Sequence, residues 1–145
     1  MNKITSAELE FTYTATPTQI WKALTDKTEM KKWYFDVDDF KPEPGFEFRF
    51  WGGTEERQYL HICVIKEAIE NKKLRHTWRY DGFEGCTDLC FEITETGNKK
   101  TSVKLTHTGF ETFPSDNTDL KVENFIAGWN YILGKSLKNY LKSDG

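Results

Sequence analysis

No stretch of this sequence stays apolar for long. Nothing in it approaches a membrane span, and Met1 to Thr5 pass into a polar–apolar alternation without the apolar segment that a secretion signal needs. The cytoplasm is therefore the expected address. Cysteine is scarce and odd in number, at Cys63, Cys86 and Cys90. Three thiols without a secretion signal do not make a disulfide framework, and free thiols are expected. His61 with Cys63, and Cys86 with Cys90, supply ligand types for zinc. They lack CxxC or HxxxH spacing, so no metal and no other cofactor is expected. Surplus basic charge is lacking too: 20 Lys and Arg against 23 Asp and Glu leave a net charge of −3. The cations are scattered among acids rather than gathered in a stripe, which argues against a nucleic-acid partner. No repeat, low-complexity tract or linker interrupts the 145 residues, so 1–145 reads as one domain.

Aromatic residues are what the sequence has in quantity: eleven Phe, six Tyr and five Trp. A chain of this kind builds its interior from a few large rings. Such a core is either solid or leaves a ring-lined hollow, and composition does not choose between them.

Residues Leu9, Phe11 and Tyr13 alternate with polar neighbours at the two-residue period of a half-buried strand. Thr16-Pro17-Thr18-Gln19 then reads as a helix start, with Thr16 as N-cap, Pro17 as first helical residue and Gln19 completing a capping box. Asp26 followed by Glu29 opens a second short helix that ends near Trp33. Beyond the turn at Pro42 to Gly45, the middle of the chain is strand and turn. Phe46, Phe48 and Phe50 alternate, as do Leu74, His76, Trp78 and Tyr80, then Leu89, Phe91 and Ile93, then Val103, Leu105 and His107. Tyr59 to Ile69 carries apolar groups at both parities, which leaves its inward side open. Short turns between consecutive strands favour antiparallel neighbours.

After a loop around Pro114 the period changes. Val122, Phe125, Ile126, Trp129, Ile132, Leu133, Leu137 and Tyr140 fall at steps of three and four, the stripe of one long helix from about Asp119 to Leu141. At 1.5 Å per residue it is roughly 34 Å long, enough to cross a sheet of six or seven strands about 4.8 Å apart. The expected architecture is α+β: a curved antiparallel sheet of six to seven strands around a long C-terminal helix, with two short helices after the first strand.

That order, together with Ala15-Thr16-Pro17, Ile20 to Asp26, Trp33, Leu74 to Trp78, and Gly128-Trp129 with Leu133 and Leu137, resembles the START-like or birch-pollen-allergen-like superfamily. Within it the chain is most similar to the homologues of the activator of the ninety-kilodalton heat-shock protein's ATPase. The resemblance covers nearly the whole chain and implies a helix-grip fold. It also implies a hollow between the last helix and the sheet, used in the superfamily for lipids, hormones or polyketides. A chaperone partner and a role in stress response follow from the same likeness. In the eukaryotic activator, stimulation depends largely on a separate N-terminal domain, so a chain of this length is expected not to stimulate that ATPase by itself.

The expected ligand is an apolar, aromatic or lipid-like small molecule, bound by a monomer or homodimer. Inward parity brings Trp33, Phe48, Phe50, Tyr59, Trp78, Tyr80, Phe91 and Trp129 to one side, with His61, Cys63, Phe125 and Leu133 beside them. Tyr59, Tyr80, His61 and His107 are the polar groups available to orient a ligand. A cyclase or dehydratase using the same hollow is the enzymatic alternative, and His76 and His107 are its inward-facing titratable groups. Gly128 either widens the gap beneath the helix or lets the helix approach a strand, and close approach is the favoured expectation.

Overall fold

The computed structural model describes residues 6–53, 58–113 and 120–144. Met1–Thr5, the loop around Pro114 and the expected helix start at Asp119 lie outside the described residues. Strand β1 (Ser6–Tyr13) leads into helices α1 (Pro17–Thr25) and α2 (Lys27–Trp33). The Thr16 hydroxyl accepts from the Gln19 N–H at 3.2 Å, and the Gln19 side-chain oxygen accepts from the Thr16 N–H at 2.8 Å. Asp26 caps α2 by accepting from the Thr28 N–H at 2.9 Å. The Trp33 indole N–H donates to the Ala23 carbonyl at 3.0 Å, which fixes the corner between the two helices.

Strands β2 (Glu47–Gly53), β3 (Gln58–Ile69), β4 (Lys73–Tyr80), β5 (Thr87–Gly97) and β6 (Lys100–Thr108) complete one six-stranded antiparallel sheet among the described residues. Its order is β1-β6-β5-β4-β3-β2, so the first strand closes onto the last. Alternation places Leu74, His76, Trp78 and Tyr80 inside and the intervening residues outside. The ambiguity in β3 has a local cause. A register shift between Ile65 and Glu67 lets Tyr59, His61, Cys63 and Ile65 face inward before it, while Ala68 pairs with inward Leu74 after it.

The last helix begins at Val122 and departs from a regular α-helix. It runs as α3 (Val122–Tyr131), a π-helical segment (Ile132–Leu137) and α4 (Lys138–Asp144). Trp129, Leu133 and Leu137 are all buried at steps of four. That stride overshoots an α turn of about 3.6 residues, and the wider π turn keeps the three on one face. The Tyr13 hydroxyl donates to the Leu133 carbonyl within the π segment at 2.7 Å. Further on, Ser136 donates to the Trp33 carbonyl and Tyr140 to the Glu29 carboxylate, docking the helix on α2. The result is a helix-grip fold. No helix among the described residues is long and apolar enough to cross a membrane.

Candidate functional site

Between the start of the last helix and the β2–β4 end of the sheet lies a cavity of about 410 Å³. The sheet contributes Gly52, Tyr59, His61, Trp78 and Tyr80. The helix side contributes Leu120, Asn124, Phe125, Gly128, Trp129 and Ile132, and Phe35 enters from the loop after α2. No Lys, Arg, Asp or Glu stands among these lining residues. Trp78 and Trp129 meet edge to face at 5.5 Å, forming one continuous wall rather than two opposed ones.

Of the thirteen residues expected at the hollow, Tyr59, His61, Trp78, Tyr80, Phe125 and Trp129 line it. Trp33, Phe48, Phe50, Cys63, Phe91, His107 and Leu133 are buried in the solid part of the core. The packed part thus includes much of β2 and β3, and the hollow lies at the end of those strands where Gly52 pairs with Tyr59. Phe35, Gly52, Leu120, Asn124 and Ile132 were not legible as lining. Gly52 carried a signal: glycine inside a strand marks a close approach. A Cβ there stands 3.1 Å from the rings of both Phe35 and His61.

Gly128 and Gly134 have opposite surroundings. A Cβ built on Gly128, an exposed residue of the lining, meets nothing within 4 Å, so no strand packs against it. The close approach expected of it belongs to Gly134, where a Cβ stands 3.1 Å from the Phe11 ring. Gly128→Ala should therefore raise stability by about 0.5–1 kcal/mol through helix propensity alone. Gly134→Ala should gain less, because Phe11 must shift. Chemical denaturation of both variants checks the order, and an equal or reversed gain would contradict it.

The histidines divide by position. The Trp129 indole N–H donates to His107 Nδ1 at 3.2 Å, so the other ring nitrogen carries the proton. His107 Nε2–H donates to the Thr87 hydroxyl at 2.6 Å, and that hydroxyl donates to the Trp78 carbonyl at 3.0 Å. Both His107 nitrogens are occupied, and burial pushes its pKa down to about 3. His76 packs edge-on to Phe48 away from the cavity, its Nδ1–H donating to the Thr77 carbonyl at 2.8 Å, with its pKa lowered by burial to about 4. His61 alone lines the cavity. Its Nδ1–H donates to the Tyr59 carbonyl at 3.0 Å, which leaves Nε2 as a lone-pair acceptor. Burial lowers its pKa to about 4, outweighing the Tyr59 and Phe50 carbonyls that favour the protonated ring.

The three thiols are free. Cys63 is fully buried, its pKa raised by burial, and Cys90 is buried on the other parity of β5. Cys86 is exposed and precedes β5 rather than sharing a strand face with Cys90. Among the described residues no three His, Cys, Asp or Glu side chains gather as a metal site.

The sequence matches the family described as Activator of Hsp90 ATPase homolog 1-like protein over residues 14–142. No curated protein matches it. Among solved structures, a protein from Mesorhizobium loti superposes with a TM-score of 0.81 at 22% identity, covering 97% of this chain and 98% of the other. A protein in the dynemicin biosynthetic locus superposes with a TM-score of 0.79 at 17% identity over 98% of this chain. This chain spans only 49% of that one. An Hsp90 activator from Plasmodium falciparum superposes with a TM-score of 0.67 at 17% identity, covering 93% of this chain and 92% of that one. At these identities the likeness is one of fold.

Proposed function

Since the chain belongs to the Activator of Hsp90 ATPase homolog 1-like family, we propose that it is a cytoplasmic, single-domain member that binds an apolar, mainly aromatic small molecule in the cavity under its last helix. The observation that carries this is the lining itself: about 410 Å³ walled by aromatic rings, with uncharged polar groups at His61, Tyr59, Tyr80 and Asn124. That volume falls in the range of small-molecule sites, and rings with a few polar atoms are their usual wall. Binding ranks above cyclisation or dehydration because the described lining residues include no carboxylate and His61 is a weak base, neutral at pH 7.

Titration with 2-isopropylnaphthalene tests this. Saturable quenching of Trp78 and Trp129 should accompany a rise in melting temperature, since a ligand bound only by the folded state stabilises by RT ln(1 + [L]/Kd), about 2.7 kcal/mol at a hundredfold excess over Kd. Quenching that grows linearly with no thermal shift would contradict it.

A second reading has one observation behind it. Trp51 is 63% exposed on the outer sheet face, in register with half-buried Leu60 on β3, an apolar contact for a protein partner such as a chaperone. The chain alone is expected not to stimulate a heat-shock ATPase. A several-fold stimulation that is lost in Trp51→Ser would displace small-molecule binding as the main role.

A further inference from the structure

The cavity is not uniformly apolar. Three of its four polar residues, Tyr59, His61 and Tyr80, sit on β3 and β4. The His61 and Tyr80 rings stand edge to face at 4.6 Å, both on the cavity wall. The Tyr80 hydroxyl accepts from the Trp78 indole N–H at 2.9 Å. An oxygen already accepting in this way has its own hydrogen left to give.

A second phenol adjoins this corner. Tyr34 packs between two wall residues, its ring 4.6 Å from Phe35 and 6.2 Å from Trp129, the latter stacked. Its hydroxyl is buried and has no hydrogen-bond partner among the described residues. Tyr80 and Cys63 are its polar neighbours, and with burial they hold its pKa well above the ordinary phenol value. The Tyr80 O–H and His61, both on the wall, thus stand at one end of a cavity whose described lining carries no charge, while the Tyr34 phenol packs behind Phe35 and Trp129.

We propose that this corner selects uncharged ligands whose carbonyl oxygen accepts from the Tyr80 hydroxyl, and that it turns away carboxylates of the same size. A carbonyl oxygen can take this donor. A carboxylate would leave water with no Lys or Arg among the described lining to compensate its charge. The proposal rests on ligand binding in the cavity.

Three probes of equal size separate the two ideas: 2-acetylnaphthalene, 2-isopropylnaphthalene and 2-naphthoate, titrated calorimetrically at pH 8. The ketone should bind about tenfold more tightly than the hydrocarbon, as expected for one net hydrogen bond. The carboxylate should bind more weakly than either. In Tyr80→Phe, ketone and hydrocarbon should bind alike. That variant also removes the acceptor of Trp78, so Tyr34→Phe, at a phenol behind the wall, is the control. It deletes only an unpaired hydroxyl, should fold at least as stably as the parent, and should keep the ketone preference. Equal binding of ketone and hydrocarbon by the parent would overturn the selectivity and leave the cavity reading intact. So would a carboxylate that binds best. Failure of all three probes would overturn the cavity reading itself.

Discussion

Lowering the pH from 7 to 4.5 should remove most of the stability of this protein. His61, His76 and His107 are buried, and burial lowers their pKa values to about 4, about 4 and about 3. An unfolded chain protonates its histidines near 6.5. Below that value the unfolded state therefore binds protons that the folded state refuses, and stability falls with pH. The histidine contribution is whole above about pH 6.5 and is lost as pH drops through the folded values. Each group supplies a slope of up to about 1.4 kcal/mol per pH unit, so three together supply about 4 kcal/mol per unit between pH 6 and 4.5. Against the 5–15 kcal/mol typical of a domain, that is enough for unfolding between about pH 4 and 5. Urea midpoints at pH 7, 6 and 5 measure it. His61→Phe should reduce the slope by roughly a third, and a stability that is flat from pH 7 to 5 would contradict the burial of all three rings.

The largest expected effect of a single substitution is at Trp129. Its ring is buried against Trp78, Phe91 and His107, and its indole N–H supplies the proton that His107 Nδ1 accepts. Trp129→Ala removes that packing and leaves the Nδ1 acceptor unmet, at a cost of about 3–5 kcal/mol. For a chain of this length that corresponds to a fall in melting temperature on the order of 10 °C. Tyr131, two residues on and 64% exposed, is the control, with Tyr131→Ala within about 0.5 kcal/mol of the parent. A Trp129→Ala loss no larger than that of Tyr131→Ala would mean the helix does not grip the sheet at this point.

Much of the fold was legible because each element obeyed a local rule. Thr16 with Gln19 and Asp26 with Glu29 started the short helices, and Leu74 to Tyr80 kept strict parity. What escaped was set by contacts between elements. The shift after Ile65 changes the inward parity of β3, and no turn residue in the sequence signals it. The π segment coincides with Gly134 lying on Phe11 and with the stride of Trp129, Leu133 and Leu137.

The candidate site was half legible for a related reason. Inward parity gathers every ring on the concave side, yet it does not tell filler from wall. Phe91, Phe48 and His107 share the parity of Tyr59 and Tyr80 and lie in the packed half. Phe35 enters from a loop, where no period announces it. Asn124 lies off the apolar stripe of the last helix, so no period announced it as lining. Cys63, expected at the lining, pairs with Phe48 in the packed half, so an obstruction has to be placed elsewhere.

Gly128 is the place for it. A side chain added there enters open space, so Gly128→Phe should fill the cavity without straining the core. Helix propensity favours the exchange as well, since glycine is the poorest helix former after proline. The decisive measurement is the affinity of 2-isopropylnaphthalene for Gly128→Phe beside the denaturant midpoint of the same variant. Binding in the cavity predicts at least a tenfold loss of affinity, about 1.4 kcal/mol, with stability equal to or above that of the parent. Unchanged affinity in a variant of full stability would place the ligand elsewhere and contradict the account.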